Sequence, residues 1–232
     1  MISVGKFNAS LNDAKALLTD LKLFKSFGPK NQGDYSDAFK KVCRSGRHTE
    51  IYNTVRDNLD YEIVLADDSF LQFCRGDKYL RMCYIENPNF TCSKEDFLRT
   101  IFTDIDENKI DEMIADLVSD EEYEQYLNEM EGNANLMFIR YDFDTNGYAP
   151  LQHSCSHLHI GMRESVRIPL SIAITPLQFV IFCLRLAYPE QWQKLHKDKD
   201  TLTATLQSIK QQNPNLPSTY WQPEETLDLF IS

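Results

Sequence analysis

The chain has 232 residues, and 42% hydrophobic content with 14 Phe and 11 Tyr excludes global disorder and supplies a full core. Its formal charge of −11 is local, because Asp104 to Glu131 holds twelve acidic residues and one Lys, leaving the remainder neutral. No basic run balances that block, so nucleic-acid binding through a general basic groove is not expected.

In chain order, Ser10-Leu-Asn-Asp13 has the spacing of a capping box, and Leu11, Ala14, Leu17, Leu18 and Leu21 follow at helical intervals toward Gly28. A second helical region, from Tyr35 to about Asn58, breaks near Ser45-Gly46. The runs YEIVLA, SFLQFCR and KYLRMCYI, separated by Asp67-Asp68 and Gly76-Asp77, read as a three-stranded meander. Ser93-Lys-Glu-Asp96 opens another capped helix, and two short helices cross the acidic block, the second capped by Ser119. Strand character returns at Leu136 in LMFIRYDF, which turns at Asn146-Gly147 into a return strand through Cys155 to Ile160, with RIPLSIAI as a third run. Thr175-Pro176 caps a largely buried helix, and one further helix follows Lys197. Helices and strands come in blocks. The expectation is therefore one α+β domain with a mainly antiparallel sheet flanked by helices.

Six cysteines without a C-x-x-C pair, and an N-terminus lacking a charged segment before an apolar run, read as reduced thiols in a cytoplasmic protein. The uncharged stretch Ile168 to Leu184 contains Pro169 and Pro176 and falls below the ~20 apolar residues of a membrane span, so no membrane association is expected.

Chemistry concentrates in RYDFDTNGYAPLQHSCSHLHIG, residues 140–161. Asp142, Asp144, Asn146 and Gly147 match the opening of a calcium loop, but His153 stands where a bidentate Glu belongs, and the flanks read as strands. The partial match at Asp104, Asp106 and Asn108 fails likewise. On a strand, His153, Cys155, His157 and His159 would share one face, with Leu158 and Ile160 turned to the core. His157 and His159 then face solvent, a groove or a second layer. That pair could chelate a metal with Asp142 or Asp144 from the preceding strand. Alternatively His157, His159 and Asp142, with Arg140 and Arg167, surround a phosphate-like or carboxylate ligand, or they are only polar residues of a half-exposed strand. No metal and no cofactor is assigned. Ser154 and Ser156 point to the opposite face from the histidines and cannot be activated by them. Walker-type and dinucleotide-binding glycine loops are absent from the sequence.

Arg140-x-Asp142, Ser156-His157-Leu158, His159-x-Gly161, Arg167-Ile168-Pro169, Thr175-Pro176-x-x-Phe179 and Arg185 before Tyr188-Pro189 together resemble an uncharacterised bacterial domain-of-unknown-function family. The family pattern commonly carries proline after the first histidine, where this chain has Ser154. The resemblance implies a cytoplasmic bacterial protein, sometimes associated with mobile or anti-phage gene clusters. Two functions are expected from these features. The first is a non-enzymatic accessory subunit that docks a basic protein partner through Asp116, Glu121, Glu122 and Glu124. The alternative is a phosphodiester- or nucleotide-directed hydrolase or toxin-like effector, with His157 and His159 as acid and base, Asp142 orienting one of them, and Arg140 and Arg167 holding the anion. The first carries more weight on sequence alone, since one acidic face is concentrated and no catalytic motif is complete.

Overall fold

A computed structural model of the chain describes residues 2–44, 46–88, 93–102, 105–106, 109–133, 136–162 and 167–227. Cys92, Asp104 and Asn108 lie outside them. The chain forms two compact units, one of Met1–Glu86 with Met137–Ser232 and the other of Asn87–Leu136.

Among the described residues the larger unit is built on seven antiparallel strands that neighbour one another in chain order. These are β1 (Phe24–Phe27), β2 (Ile63–Leu65), β3 (Phe70–Arg75), β4 (Tyr79–Ile85), β5 (Phe138–Asp144), β6 (Ser156–Ile160) and β7 (Ile168–Pro169). The fold is α+β with an antiparallel sheet, and the expected meander is β2–β3–β4. The second unit is inserted between β4 and β5, which nevertheless pair along their whole length, from Tyr79 opposite Asp144 to Ile85 opposite Phe138.

Strand alternation sorts side chains to two faces. One face sends Phe73, Met82, Tyr84, Tyr141 and Leu158 against Phe7 and Leu18 of α1 (Val4–Asp20) and Phe179 and Val180 of α7 (Pro176–Ala187). Full burial of each such side chain contributes ~1.5–3 kcal/mol. The other face places Cys74, Cys83, Ile85 and Phe138 under Phe39 of α2 (Asp37–Val42) and Ile51 and Val55 of α3 (His48–Asp57). Ser36 starts α2 by accepting the Phe39 amide at 3.1 Å. Between α2 and α3, Gly46 is required sterically, since a Cβ there would lie 2.5 Å from Val42 Cγ2. α8 (Pro189–His196) and α9 (Lys199–Gln212) follow α7 in this unit.

Several sequence expectations are corrected. α1 begins at Val4 under a Ser3 cap, and Ser10 is buried mid-helix, where its hydroxyl accepts the Leu177 amide at 2.9 Å. That capping-box spacing is a packing contact between helices. α1 stops at Asp20, Lys22 takes a left-handed φ of 59°, and the chain enters β1 instead of continuing to Gly28. The β5–β6 connection is also longer than an Asn-Gly hairpin: Asn146 donates to Asp144 Oδ1 at 2.8 Å, and the tight reversal comes later, at Leu151 (φ 60°) between the bridged Ala149 and His153.

The smaller unit contains α4 (Lys94–Ile101), α5 (Ile110–Leu117) and α6 (Asp120–Asn133), packed around Phe97, Leu98 and Val118. Both expected caps are present. Ser93 accepts the Asp96 amide at 3.0 Å, and Ser119 accepts the Glu122 amide at 3.2 Å. No helix among the described residues is long and apolar enough to cross a membrane; Ile168 to Leu184 divides between β7 and α7.

Candidate functional site

The strand register assembles the site. Arg140 on β5 is opposite Cys83 on β4 and His159 on β6, while Asp142 is opposite Arg81 and His157. Because these positions share parity, all their side chains project to the α2 side, away from Tyr141 and Leu158. His157 and His159 therefore face a second layer and are only 2% and 3% exposed. This contradicts the reading of a half-exposed polar strand. α2 and the loop before it roof the histidine face.

His159 Nε2 stands 3.6 Å from Asp142 Oδ2. The other oxygen, Asp142 Oδ1, faces Arg81 Nε at 3.6 Å. His157 Nδ1 lies 2.8 Å from the Ser154 carbonyl oxygen. A carbonyl only accepts, so Nδ1 carries the proton and the neutral ring keeps its lone pair on Nε2. Burial favours that neutral form and lowers the His157 pKa, with Asp142 acting in the opposite sense. The rings of His153 and His159 flank His157 with centroids 5.0 and 4.9 Å away. One ligand-capable atom from each of Asp142, His157 and His159 falls within 4.8 Å of the others.

These groups line a cavity of about 330 Å³ whose walls also include Tyr35 and Phe39. Lys40, Arg44, Arg81, Arg140 and Arg167 contribute five cationic side chains, against the two carboxylates of Asp142 and Asp144. A cationic lining in a chain of charge −11 is a local inversion. Two of these cations are engaged by carboxylates: Arg81 reaches Asp34 at 3.1 Å and Asp144 at 3.7 Å as well as Asp142, and Lys40 reaches Asp34 at 2.8 Å and Asp37 at 3.7 Å. Arg140 packs its guanidinium 5.5 Å above the Phe138 ring. Burial works against its charge, but Asp142 leads the groups that raise its pKa, so it stays cationic. Two residues of the lining, Tyr35 and His153, carry buried polar atoms, Oη and Nδ1, that have no hydrogen-bond partner among the described residues.

Of the residues singled out in the sequence, Arg140, Asp142, His157, His159 and Arg167 all line this cavity. Cys155 does not share the histidine face: the chain bends before β6, and Cys155 packs in the core with Leu158. Burial pushes its thiol up to about 12, so it is protonated and inert at neutral pH. Asp142 and Asp144 are strand residues facing Arg81, not ligands of a calcium loop. Lys40, Arg44 and Arg81 were missed, because only the register of β4 and the roofing by α2 bring them to residues far along the chain. In the smaller unit, Asp116, Glu121, Glu122 and Glu124 are exposed, and Glu122 also accepts the Ser119 hydroxyl at 2.8 Å.

The model of a family described as an uncharacterized conserved protein (DUF2290) matches residues 30–226. No curated protein and no solved structure was found to match the chain.

Proposed function

The chain belongs to the DUF2290 family of uncharacterised conserved proteins, and we infer from the geometry of its cavity that this is the active site of a hydrolase acting on a phosphate ester, of the phosphodiester or nucleotide class. The observation that carries this reading is the meeting of an Asp142–His157–His159 group with Arg44, Arg140 and Arg167 around one cavity. Guanidinium groups match phosphate oxygens as forked donors, and the buried Arg140 works where an anion is less screened than at the surface.

In this reading the cations hold the phosphoryl oxygens and stabilise charge that builds on them. The Asp142–His157–His159 group activates the attacking water. Its oxygen bonds to phosphorus as the ester P–O bond breaks, one proton leaves the water, and one reaches the departing oxygen. A phosphodiester- or nucleotide-directed activity also suits the setting that the sequence resemblance implies, a bacterial cytoplasmic protein in conflict with phage or mobile elements.

The test is hydrolysis of a panel of activated phosphodiesters and nucleotides by the unaltered chain, by Arg140→Met and by His157→Ala. Turnover that both changes abolish while circular dichroism stays native supports the assignment. Turnover that persists in both variants, or no turnover with any phosphate ester, removes it.

A second reading, a docking role for the smaller unit toward a basic protein, is favoured by the exposure of Asp116, Glu121, Glu122 and Glu124 on helices that form their own compact unit.

A further inference from the structure

We propose that Asp142, His157 and His159 form a binding site for one first-row divalent cation of the zinc or ferrous type, open toward the cavity. The inference deepens the hydrolase reading by naming how water is activated, and it can fail separately from that reading.

The donor set comes first. Two imidazoles and one carboxylate are the ligands that borderline divalent ions take, and three protein ligands leave positions for water and substrate, as catalytic sites require. The spacing follows. Ligand atoms ~2.1 Å from a tetrahedral ion stand ~3.4 Å apart. Asp142 Oδ2 and His159 Nε2 are already 3.6 Å apart, and the widest separation in the triad, within 4.8 Å, closes by small rotations of ring and carboxylate.

Orientation by neighbouring groups is the independent observation. Metal-binding histidines characteristically commit their second nitrogen to a carbonyl or carboxylate, which fixes the tautomer and aims the lone pair. His157 does this through Nδ1–H to the Ser154 carbonyl at 2.8 Å. Asp142 is held in the same way, with Oδ1 turned to Arg81 and Oδ2 left toward the histidines. The ligands are also placed on rigid elements. All three sit on paired strands, with Asp142 directly opposite His157, so little ordering is left for the ion to impose.

The cationic lining decides what sits at the open positions. Arg81 is largely compensated by Asp34 and Asp144, whereas Arg44 and Arg167 are exposed side chains at the cavity. An anion bridging the ion and those guanidiniums neutralises both, so a phosphate oxygen is the natural fourth ligand. Water on the same ion would be acidified enough to attack at neutral pH.

The experiment uses the full chain, stripped with chelator and titrated with Zn²⁺ by calorimetry and with Co²⁺ by visible absorption. One ion per chain with tetrahedral-type Co²⁺ bands is expected. Affinity should weaken by ~100-fold or more in His159→Ala and in the isosteric Asp142→Asn, since each removes a ligand and not merely its support. Arg44→Gln should keep the metal and weaken phosphate. Absence of stoichiometric binding in the unaltered chain, or binding that Asp142→Asn and His159→Ala leave unchanged, overturns the proposal. The Co²⁺ spectrum of the unaltered chain and Asp142→Asn decide the matter even if a histidine variant does not fold. If metal fails while phosphate esters are still cleaved, the hydrolase reading stands with His157 and His159 as acid and base. Metal bound without cleavage leaves the reverse.

Discussion

Two buried charged clusters of the larger unit lie on the sheet and differ in how their groups are paired. Around Glu62, a residue just before β2, Oε1 accepts from Lys30 Nζ at 3.1 Å and the Gln32 amide at 2.9 Å, and Oε2 accepts from the Phe73 amide at 2.7 Å. Asp60 Oδ2 accepts the Ser36 amide at 2.9 Å. Each carboxylate is consumed by backbone or by Lys30, so this cluster ties the 30–36 loop to the sheet. Both clusters border cavities, but the carboxylates around Lys30 are each bonded, whereas the Arg140–Asp142–His157–His159 cluster lies in a lining where Arg44 and Arg167 are exposed cations. The difference teaches how structural and functional polarity are told apart. A buried polar network that closes on itself specifies the fold, and one that stays open awaits a ligand.

The sharpest way to break this comparison is to remove a partner from the closed cluster. Lys30→Met leaves two carboxylates buried without their cation, and chemical denaturation should record a loss of ~3–5 kcal/mol. A change below ~1 kcal/mol, the range of exposed pairs, would show that the cluster holds nothing together. The same cluster gives a pH signature. Burial disfavours the Lys30 ammonium, but Cys74 and Glu62 beside it more than offset this, and its pKa is raised above 10.5. A raised cation contributes stability that is whole below its unfolded pKa and is lost as pH climbs through the folded value. The unaltered chain should therefore lose stability relative to Lys30→Met above about pH 10.5, by at most ~1.4 kcal/mol per pH unit for one proton. A difference between the two that stays flat through that range would contradict the assignment.

The open cluster should respond oppositely. Arg140→Met removes a buried cation but strands no carboxylate, because Asp142 keeps Arg81 at 3.6 Å, so its stability should stay within ~1 kcal/mol of the parent, well short of the ~3–5 kcal/mol of a broken buried pair. A loss of several kcal/mol would move Arg140 to the structural class. The smallest effect is expected in the second unit. Reversing Asp116, Glu121 and Glu124 to Lys should shift the melting transition little, as exposed charges contribute ~0–1 kcal/mol. Adding Glu122→Lys should cost more, through the lost reciprocal cap with Ser119. If the acidic face docks a basic partner, association slows with salt and weakens on reversal; unchanged recovery of the same partners marks a solvated face only.

Much of this was legible in the sequence, for identifiable reasons. Alternation alone turned His157 and His159 away from Leu158, and Thr175-Pro176 and Ser93 marked helix starts, because period and caps are local properties. The roof over the histidines was not legible. It depends on where α2 lies over the sheet, and nothing in the sequence from Asp37 to Arg44 records that Lys40 and Arg44 line one cavity with Arg167. Local rules also misled where tertiary contacts took over a residue. Ser10 resembled a cap but bonds α7, and Cys155 fits the strand alternation but turns into the core at a bend. The short β1 offered too few residues for its pattern to emerge.

The central claim is that the cavity under α2 is a site for a phosphate-bearing ligand. It is tested most directly by calorimetric titration of the full chain with inorganic phosphate, with and without Zn²⁺, alongside Arg140→Met. The account predicts one phosphate per chain, tighter with Zn²⁺ present, and lost in Arg140→Met while the melting temperature holds. Saturable binding that Arg140→Met leaves untouched, or no binding under either condition, would contradict it.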